Sequence, residues 1–216
     1  MKINTDGVLI GAIAHKEQPE NILDIGTGTG VIALMLAQRF KNAVIDAVEI
    51  DALAAETAKQ NAANSPFAGF VNIYNSSIED FLTDKKYDLI VSNPPFFVND
   101  LKNEEQRKGI ARHADDWFFS TLILKSVAML SDFGKIWLIL PLKQAKKIVD
   151  IAALEGLHLV EIVHIYSDKG KPEIRQIICL AQQIDDLKEY DFYIYESLKV
   201  HTEQYRHLLK DFFLAF

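Results

Sequence analysis

Asn21-Ile22-Leu23-Asp24-Ile25-Gly26-Thr27-Gly28-Thr29-Gly30 leads directly into Val31-Ile32-Ala33-Leu34-Met35-Leu36-Ala37-Gln38-Arg39. The order is a short apolar strand, a glycine-rich turn and an apolar helix. Glycines let the backbone bend sharply and let a ligand approach it closely. The dinucleotide fingerprint G-x-G-x-x-G needs its third glycine at position 31, where Val31 stands. The pattern is instead D-x-G-x-G-x-G, with the acid Asp24 two residues before Gly26. A carboxylate there disfavours a pyrophosphate and tolerates a zwitterionic ligand that carries an ammonium group.

Downstream, Ala43 to Val48 reads as a second strand ending at Glu49, which lies 19 residues after Gly30. An acid at the tip of the second strand is placed to accept hydrogen bonds from two ribose hydroxyls. Asp51 opens the following helix, where an acid favours the helix dipole, and it lies close enough to contribute to the same ligand. Val71 to Tyr74 is a third strand, and Ser77 in the turn after it is expected beside the base of a bound nucleoside. Tyr87 to Val91 is a fourth, buried strand, followed by Ser92-Asn93-Pro94-Pro95-Phe96-Phe97. Two prolines stop the strand, and Pro94 biases Asn93 away from the helical region. Two readings stand for this loop. It is an Asn-Pro turn closed by core phenylalanines, or a stiff platform presenting an amide, unclaimed carbonyls and an aromatic ring.

Strands alternate with helices over the first 155 residues, which implies an α/β fold with a mostly parallel, doubly wound sheet. Ligands bind such sheets at the carboxyl ends of the strands, near the topological switch. Gly26, Gly28, Gly30, Glu49, Ser77 and Asn93 all fall at those ends and so share one crevice. At the start, Thr5 or Asp6 is expected to cap a short helix. Val98 to Asp116 is a long polar stretch holding Lys102, Arg107, Lys108 and Arg112, read either as a solvated loop or as a substrate clamp. Trp117 to Met129 reads as a helix, Gly134 to Leu140 as a strand, and Gln144 to Leu154 as a helix whose lysines form a solvated face. Two strands, 157–166 and 174–182, flank a basic turn with Lys169 and Lys171. Asp191 to Tyr195 is read as one more short strand and His201 to Phe213 as a packed helix.

The chain of 216 residues is 49% hydrophobic and 25% charged, which suits one domain with a sizeable core. Its expected parts are an N-terminal segment 1–18, a core 19–182 and a C-terminal extension 183–216. The single cysteine rules out an internal disulfide and a cysteine zinc site, and no metal is expected. No apolar run approaches the roughly 20 residues that span a membrane, and no signal peptide is recognisable, so a cytoplasmic protein is expected. A net charge of −7 argues against a sequence-blind nucleic-acid coat and leaves room for one basic face.

The D-x-G-x-G-x-G loop, the acid at the second strand tip and Asn93-Pro94-Pro95-Phe96 resemble the class I S-adenosylmethionine-dependent methyltransferases that modify an amino group. More narrowly, Thr5-Asp6-Gly7-Val8-Leu9, Asn93 to Phe97, the Arg112 segment and Thr202 to Phe213 resemble the bacterial tRNA-valine adenine-N6 methyltransferases. The resemblance covers nearly the whole chain. It implies S-adenosyl-L-methionine as cofactor, held by Thr5, Asp24, Gly26, Gly28, Gly30, Glu49, Asp51, Ser77 and Asn93. It implies catalysis by Asn93, Pro94, Pro95 and Phe96 on the adenine 3′ of the anticodon. The expected RNA contacts are Lys102, Arg107, Lys108, Arg112, Lys169 and Lys171. Such relatives carry a short stretch ahead of the Met1 segment, so a longer native start is expected. Ser77 stands where relatives often have an aspartate. The rival readings are an rRNA guanine-N2 or protein-glutamine methyltransferase and a non-catalytic RNA- or nucleotide-binding module. Phe97 in place of histidine and Phe96 in place of tyrosine weigh against the first two. A binder has no need of the acceptor loop.

Overall fold

The computed structural model describes residues 4–95 and 106–213, and for residues 106–116 the backbone only. At its centre lies β1 (Asn21–Ile25), whose residues from Ile22 on are buried. Alternate residues feed opposite faces: Ile22 joins one apolar cluster, Leu23 and Ile25 the other. That is why this stretch reads as a continuous apolar run rather than an alternating one. Parallel partners β2 (Val44–Glu49) and β3 (Val71–Asn75) extend the sheet on one side, and β4 (Tyr87–Ser92) and β5 (Leu130–Leu140) on the other. Then come β6 (His158–Tyr166), β7 (Glu173–Ala181) and β8 (Lys188–Tyr193), giving the order β3-β2-β1-β4-β5-β7-β6-β8. Only β7 runs antiparallel to its neighbours. The chain leaves β1 toward β2 and β3 and returns to place β4 on its other side. The switch point is therefore at β1 and β4, the position that opens a crevice at their carboxyl ends.

Helices cover both faces. Helices α1 (Thr5–Ile13) and α2 (Val31–Arg39) close one core together with Tyr205 and Leu209 of α6 (Glu203–Leu209). Helices α4 (Gln106–Met129) and α5 (Leu142–Leu154) close the other, and α3 (Ala52–Ala63) joins β2 to β3. Gly134 is required where β5 shifts register against β4, because a Cβ there would stand 2.8 Å from the Tyr87 carbonyl oxygen. Among the described residues no helix is long and apolar enough to cross a membrane.

Several expectations need correction. The stretch read as a long loop becomes helical at Gln106 and runs unbroken into the Trp117 helix. Its first turns lack apolar periodicity, yet Gln, Arg, Lys and Ala are good helix formers. The last helix is shorter than expected, because Val200 and His201 form β10, paired antiparallel with β9 (Tyr195–Ser197). The short strand of the extension is β8, and it belongs to the main sheet as its edge, parallel to β6. Asn4, not Thr5 or Asp6, caps α1, its side chain accepting the Gly7 N–H at 2.7 Å.

Candidate active site

A cleft of about 840 Å³ runs along the carboxyl ends of β1, β2 and β4 and the turn after β3. Its floor is the glycine turn. Gly26 has φ 75°, and a Cβ at this position would meet nothing within 4 Å, so its outer face is open to a ligand. The N–H groups of Gly26 and Thr27 donate to the Val48 carbonyl at 2.8 and 3.1 Å, which fastens the turn to β2. Gly28 (φ 59°) donates its N–H to Glu49 Oε2 at 2.8 Å, and Asp51 donates its N–H to Glu49 Oε1 at 2.8 Å. Two backbone donors thus fix the Glu49 carboxylate, while each oxygen keeps capacity for one more donor. Asp51 lines the cleft and also caps α3, accepting the Ala54 N–H at 2.8 Å.

Beyond Glu49 the wall is apolar. Ile50 and Leu53, 72% and 80% exposed, face the cleft, and exposed side chains of this size mark a binding surface when they cluster. Ser77 lines the cleft, but its hydroxyl is engaged: it donates to Asp80 Oδ2 at 2.8 Å and accepts the Asp80 N–H at 3.1 Å. Its neighbours Ile78 and Glu79 line the cleft as well.

At the other end, Ser92 Oγ donates to the Ile25 carbonyl at 2.7 Å, which pins the tip of β4 to the tip of β1. Asn93, Pro94 and Pro95 follow and line the cleft opposite Asn4 and Gly7. The approach is close: a Cβ on Gly7 would stand 3.8 Å from Asn93 Nδ2. The same turn of α1 is held by Asp6, which accepts from Arg175 Nε at 2.8 Å. Phe118 of α4 supplies the cleft's aromatic ring among the described residues. Phe96, Phe97 and Lys102 lie outside the described residues. Arg107, Lys108 and Arg112 fall on the first turns of α4, and Lys169 and Lys171 sit exposed in the β6–β7 turn.

Three of the residues expected to hold the cofactor are not among those that line the cleft. Thr5 does not line the cleft; Asn4 and Gly7 do. Gly30 (φ 88°) lies against Ala58 of α3, whose Cβ a side chain at this position would meet at 3.3 Å. Asp24 is buried beneath the turn rather than exposed in the cleft. Neither of its carboxylate oxygens has a hydrogen-bond partner among the described residues, nor has the Thr27 hydroxyl. Burial is the main cause that pushes the Asp24 pKa up to about 7; the neighbouring Thr27 and Ala33 act against it, and the negative charge of Glu49 adds to it. Sequence reasoning missed Asn4, Ile50, Leu53, Glu79 and Phe118. Only Ile50 carried a usable signal, an apolar residue immediately after the acid at a strand tip.

The family model of the methyltransferase small domain matches residues 5–151. A tRNA1(Val) (adenine(37)-N6)-methyltransferase of Pedobacter heparinus is 60% identical over 216 residues, which is all of this chain and 92% of that one. One of the same name from Parabacteroides distasonis is 40% identical over 99% of this chain and 91% of its own. Among solved structures, a predicted O-methyltransferase of Agrobacterium tumefaciens matches with a TM-score of 0.73 at 17% identity. It covers 95% of this chain and 96% of its own, and it shares the fold. TrmN from Thermus thermophilus matches with a TM-score of 0.55 at 18% identity, over 76% of this chain and 44% of its own. With the D-x-G-x-G-x-G turn, Glu49 and Asn93-Pro94-Pro95 gathered on one cleft, the chain belongs to the methyltransferase small domain family and, within it, to the tRNA1(Val) (adenine(37)-N6)-methyltransferases.

Proposed function

We propose that this protein methylates the exocyclic N6 of adenine 37 in tRNA1(Val), using S-adenosyl-L-methionine, in the cytoplasm. The observation that carries the reading is the placement of Asn93-Pro94-Pro95 in the same cleft as Gly26, Gly28 and Glu49. The residues present fit that cofactor. Gly26 leaves an open face for close approach, Glu49 is held ready to accept two ribose hydroxyls, and Ile50, Leu53 and Ile78 offer an apolar slot for a base. When bound, the cofactor supplies an activated methyl group on a sulfonium.

The chain's own residues address the acceptor. An adenine amino nitrogen is a poor nucleophile because its lone pair is delocalised into the ring. The Asn93 side-chain oxygen and the Pro94 carbonyl each accept one N–H of that amine, which favours tetrahedral geometry and frees the lone pair. Pro95 contributes no N–H that could compete for the amine's acceptors. These dipoles are fixed before the reaction by the Ser92–Ile25 bond below them and the prolines themselves, so they need no reorganisation as charge develops. A base must leave its stack to reach this position, and Phe118 and Phe96 supply ring surface to receive it. Lys102, Arg107, Lys108, Arg112, Lys169 and Lys171 are the proposed contacts to the RNA backbone.

The test is nucleoside mass spectrometry of RNA and protein fractions incubated with labelled cofactor. N6-methyladenosine in tRNA1(Val) is expected; label confined to guanine N2 or to glutamine would overturn the reading. Glu49→Ala should weaken cofactor binding by about 1–3 kcal/mol, measured by calorimetry. Asn93→Ala should lower the single-turnover rate by about 10²–10³ with cofactor affinity nearly unchanged, and Asn93→Asp, which keeps the accepting oxygen, should lose less.

A further inference from the structure

Basic charge gathers beside the acceptor loop. From Trp117 to Val149 the sequence holds five lysines and one acid, Asp132, within a chain of net charge −7. Three of the lysines, Lys143, Lys146 and Lys147, fall in the first two turns of α5, which carry no acid. The sheet places those turns with some accuracy. Ser92 of β4 is level with Leu138 of β5, so Pro94 is level with Leu140. Helix α5 therefore starts one strand spacing, about 4.8 Å, to the side of the acceptor loop and just beyond it. Lys143 and Lys146 are exposed, and neither forms an ion pair with a described residue. Lys147 is turned inward, its Nζ 5.6 Å from the centre of the Phe119 ring.

An exposed aromatic side chain lies on α4, the helix that packs against α5. Trp117 of α4 is 57% exposed, although the next residue, Phe118, lines the cleft and Phe119 is buried. A large indole left in water beside a residue that lines the cleft, on a helix packed against the one that carries two exposed lysines, has the composition of a surface that binds single-stranded nucleic acid. The cations follow the backbone, and the ring stacks on a base. The β6–β7 turn fits the task less well. Lys169 and Lys171 lie where the chain joins β6 and β7, the first two strands beyond β5, and are interleaved with Asp168 and Glu173.

We infer that Lys143, Lys146 and Trp117 form the docking surface for the RNA strand next to the methylated base, with the two lysines on phosphates and Trp117 stacked on a neighbouring unpaired base. This deepens the proposed function and rests on it. Trp117 adjoins Phe118, which lines the cleft, and α5 starts one strand spacing from the acceptor loop, so a strand held on these residues has a short path for a flipped base to reach Asn93.

The experiment uses the full chain and transcribed tRNA1(Val), with dissociation constants measured from low to moderate salt. The parent must first methylate this tRNA; if it methylates none, the proposed function fails, and the docking question is decided by the salt slope alone. Lys143→Glu together with Lys146→Glu should weaken tRNA binding about tenfold or more at low salt. The slope of log affinity against log salt should fall by roughly 1.5–2, the share of two phosphates. Cofactor affinity should stay at the parent value. Trp117→Phe should remove the fluorescence quenching that tRNA causes in the parent, since the second tryptophan, Trp137, is fully buried. Trp117→Ala should weaken binding several-fold with the salt slope unchanged. A parental slope in the double lysine variant overturns the inference. So does a parent that is a dimer and becomes monomeric in that variant with tRNA binding intact, because the face is then a contact between copies.

Discussion

Asp24 shows how a single buried carboxyl can make stability depend on pH. Its carboxyl is buried under the glycine turn and holds its proton to about pH 7, whereas an unfolded aspartate loses it near pH 3.9. Between these values the native chain binds one more proton than the unfolded chain, so stability falls as pH rises from about 4 to about 7. At about 1.4 kcal/mol per pKa unit, the loss is on the order of 4 kcal/mol by pH 7. Asp24→Asn has nearly the same shape and cannot ionise. Urea unfolding should therefore show it more stable than the parent at pH 8 and about equal at pH 4. Equal differences at the two pH values would mean that the native carboxyl ionises as freely as an exposed one. The sequence showed an acid two residues before the first glycine. It could not show that the side chain points below the turn, because that depends on how α2 packs over β1.

At the scale of elements, the legible parts were those whose signal is local. The β1–turn–α2 unit was readable from glycines and an apolar run, and the end of β4 from two prolines. The first turns of α4 were not, since charged residues with good helix propensity carry no period. Nor was the cap of α1, because Asn4, Thr5 and Asp6 are all good caps and only packing selects among them. The edge strand β8 was half legible. Lys188 to Asp191 are all exposed and give no alternation, and a side-chain tie from β6 adds to the backbone pairing that holds it. His164 of β6 places Nδ1 2.6 Å from Glu173 Oε1 of β7 and Nε2 2.7 Å from Glu189 Oε1 of β8. Both nitrogens can donate only in the imidazolium form. Burial lowers the His164 pKa, and the hydrogen bonds and charges of the two glutamates more than reverse this, so it is raised. The stability it adds is fully present below the ordinary histidine pKa of about 6.5 and is lost as pH rises through the raised value. His164→Gln should therefore lower the melting temperature more at pH 6 than at pH 9. Equal losses at both would show that the paired charges contribute nothing.

For the whole molecule, the question is whether residues after the core strands are an appendage or part of the fold. Composition gave no boundary at Gln182, and the C-terminal segment reads from sequence as an extension. The structure threads it into both the sheet and the core. Edge strand β8 pairs with β6 along six residues, and Phe192, Ile194, Tyr205 and Leu209 are buried with α1 and α2. Fully burying a large apolar side chain stabilises by about 1.5–3 kcal/mol, so these four together contribute on the order of 6–12 kcal/mol. That is comparable to the whole stability of a typical domain, about 5–15 kcal/mol. A chain ending at Gln182 would also expose the β6 edge to pairing with other copies. It should fail to give a cooperative melt by circular dichroism and should aggregate. Its cofactor affinity should be lost with the fold, because the N-terminal turn of α1, which lines the cleft through Asn4 and Gly7, packs on the same core. A chain ending at Lys210 keeps all four buried side chains but loses Phe212, which packs against the same core, so it should still melt cooperatively, at a lower temperature than the parent. If the chain ending at Gln182 instead melts cooperatively within a few degrees of the parent and binds the cofactor, the buried area of the last segment contributes little. The fold would then be complete without β8 and α6.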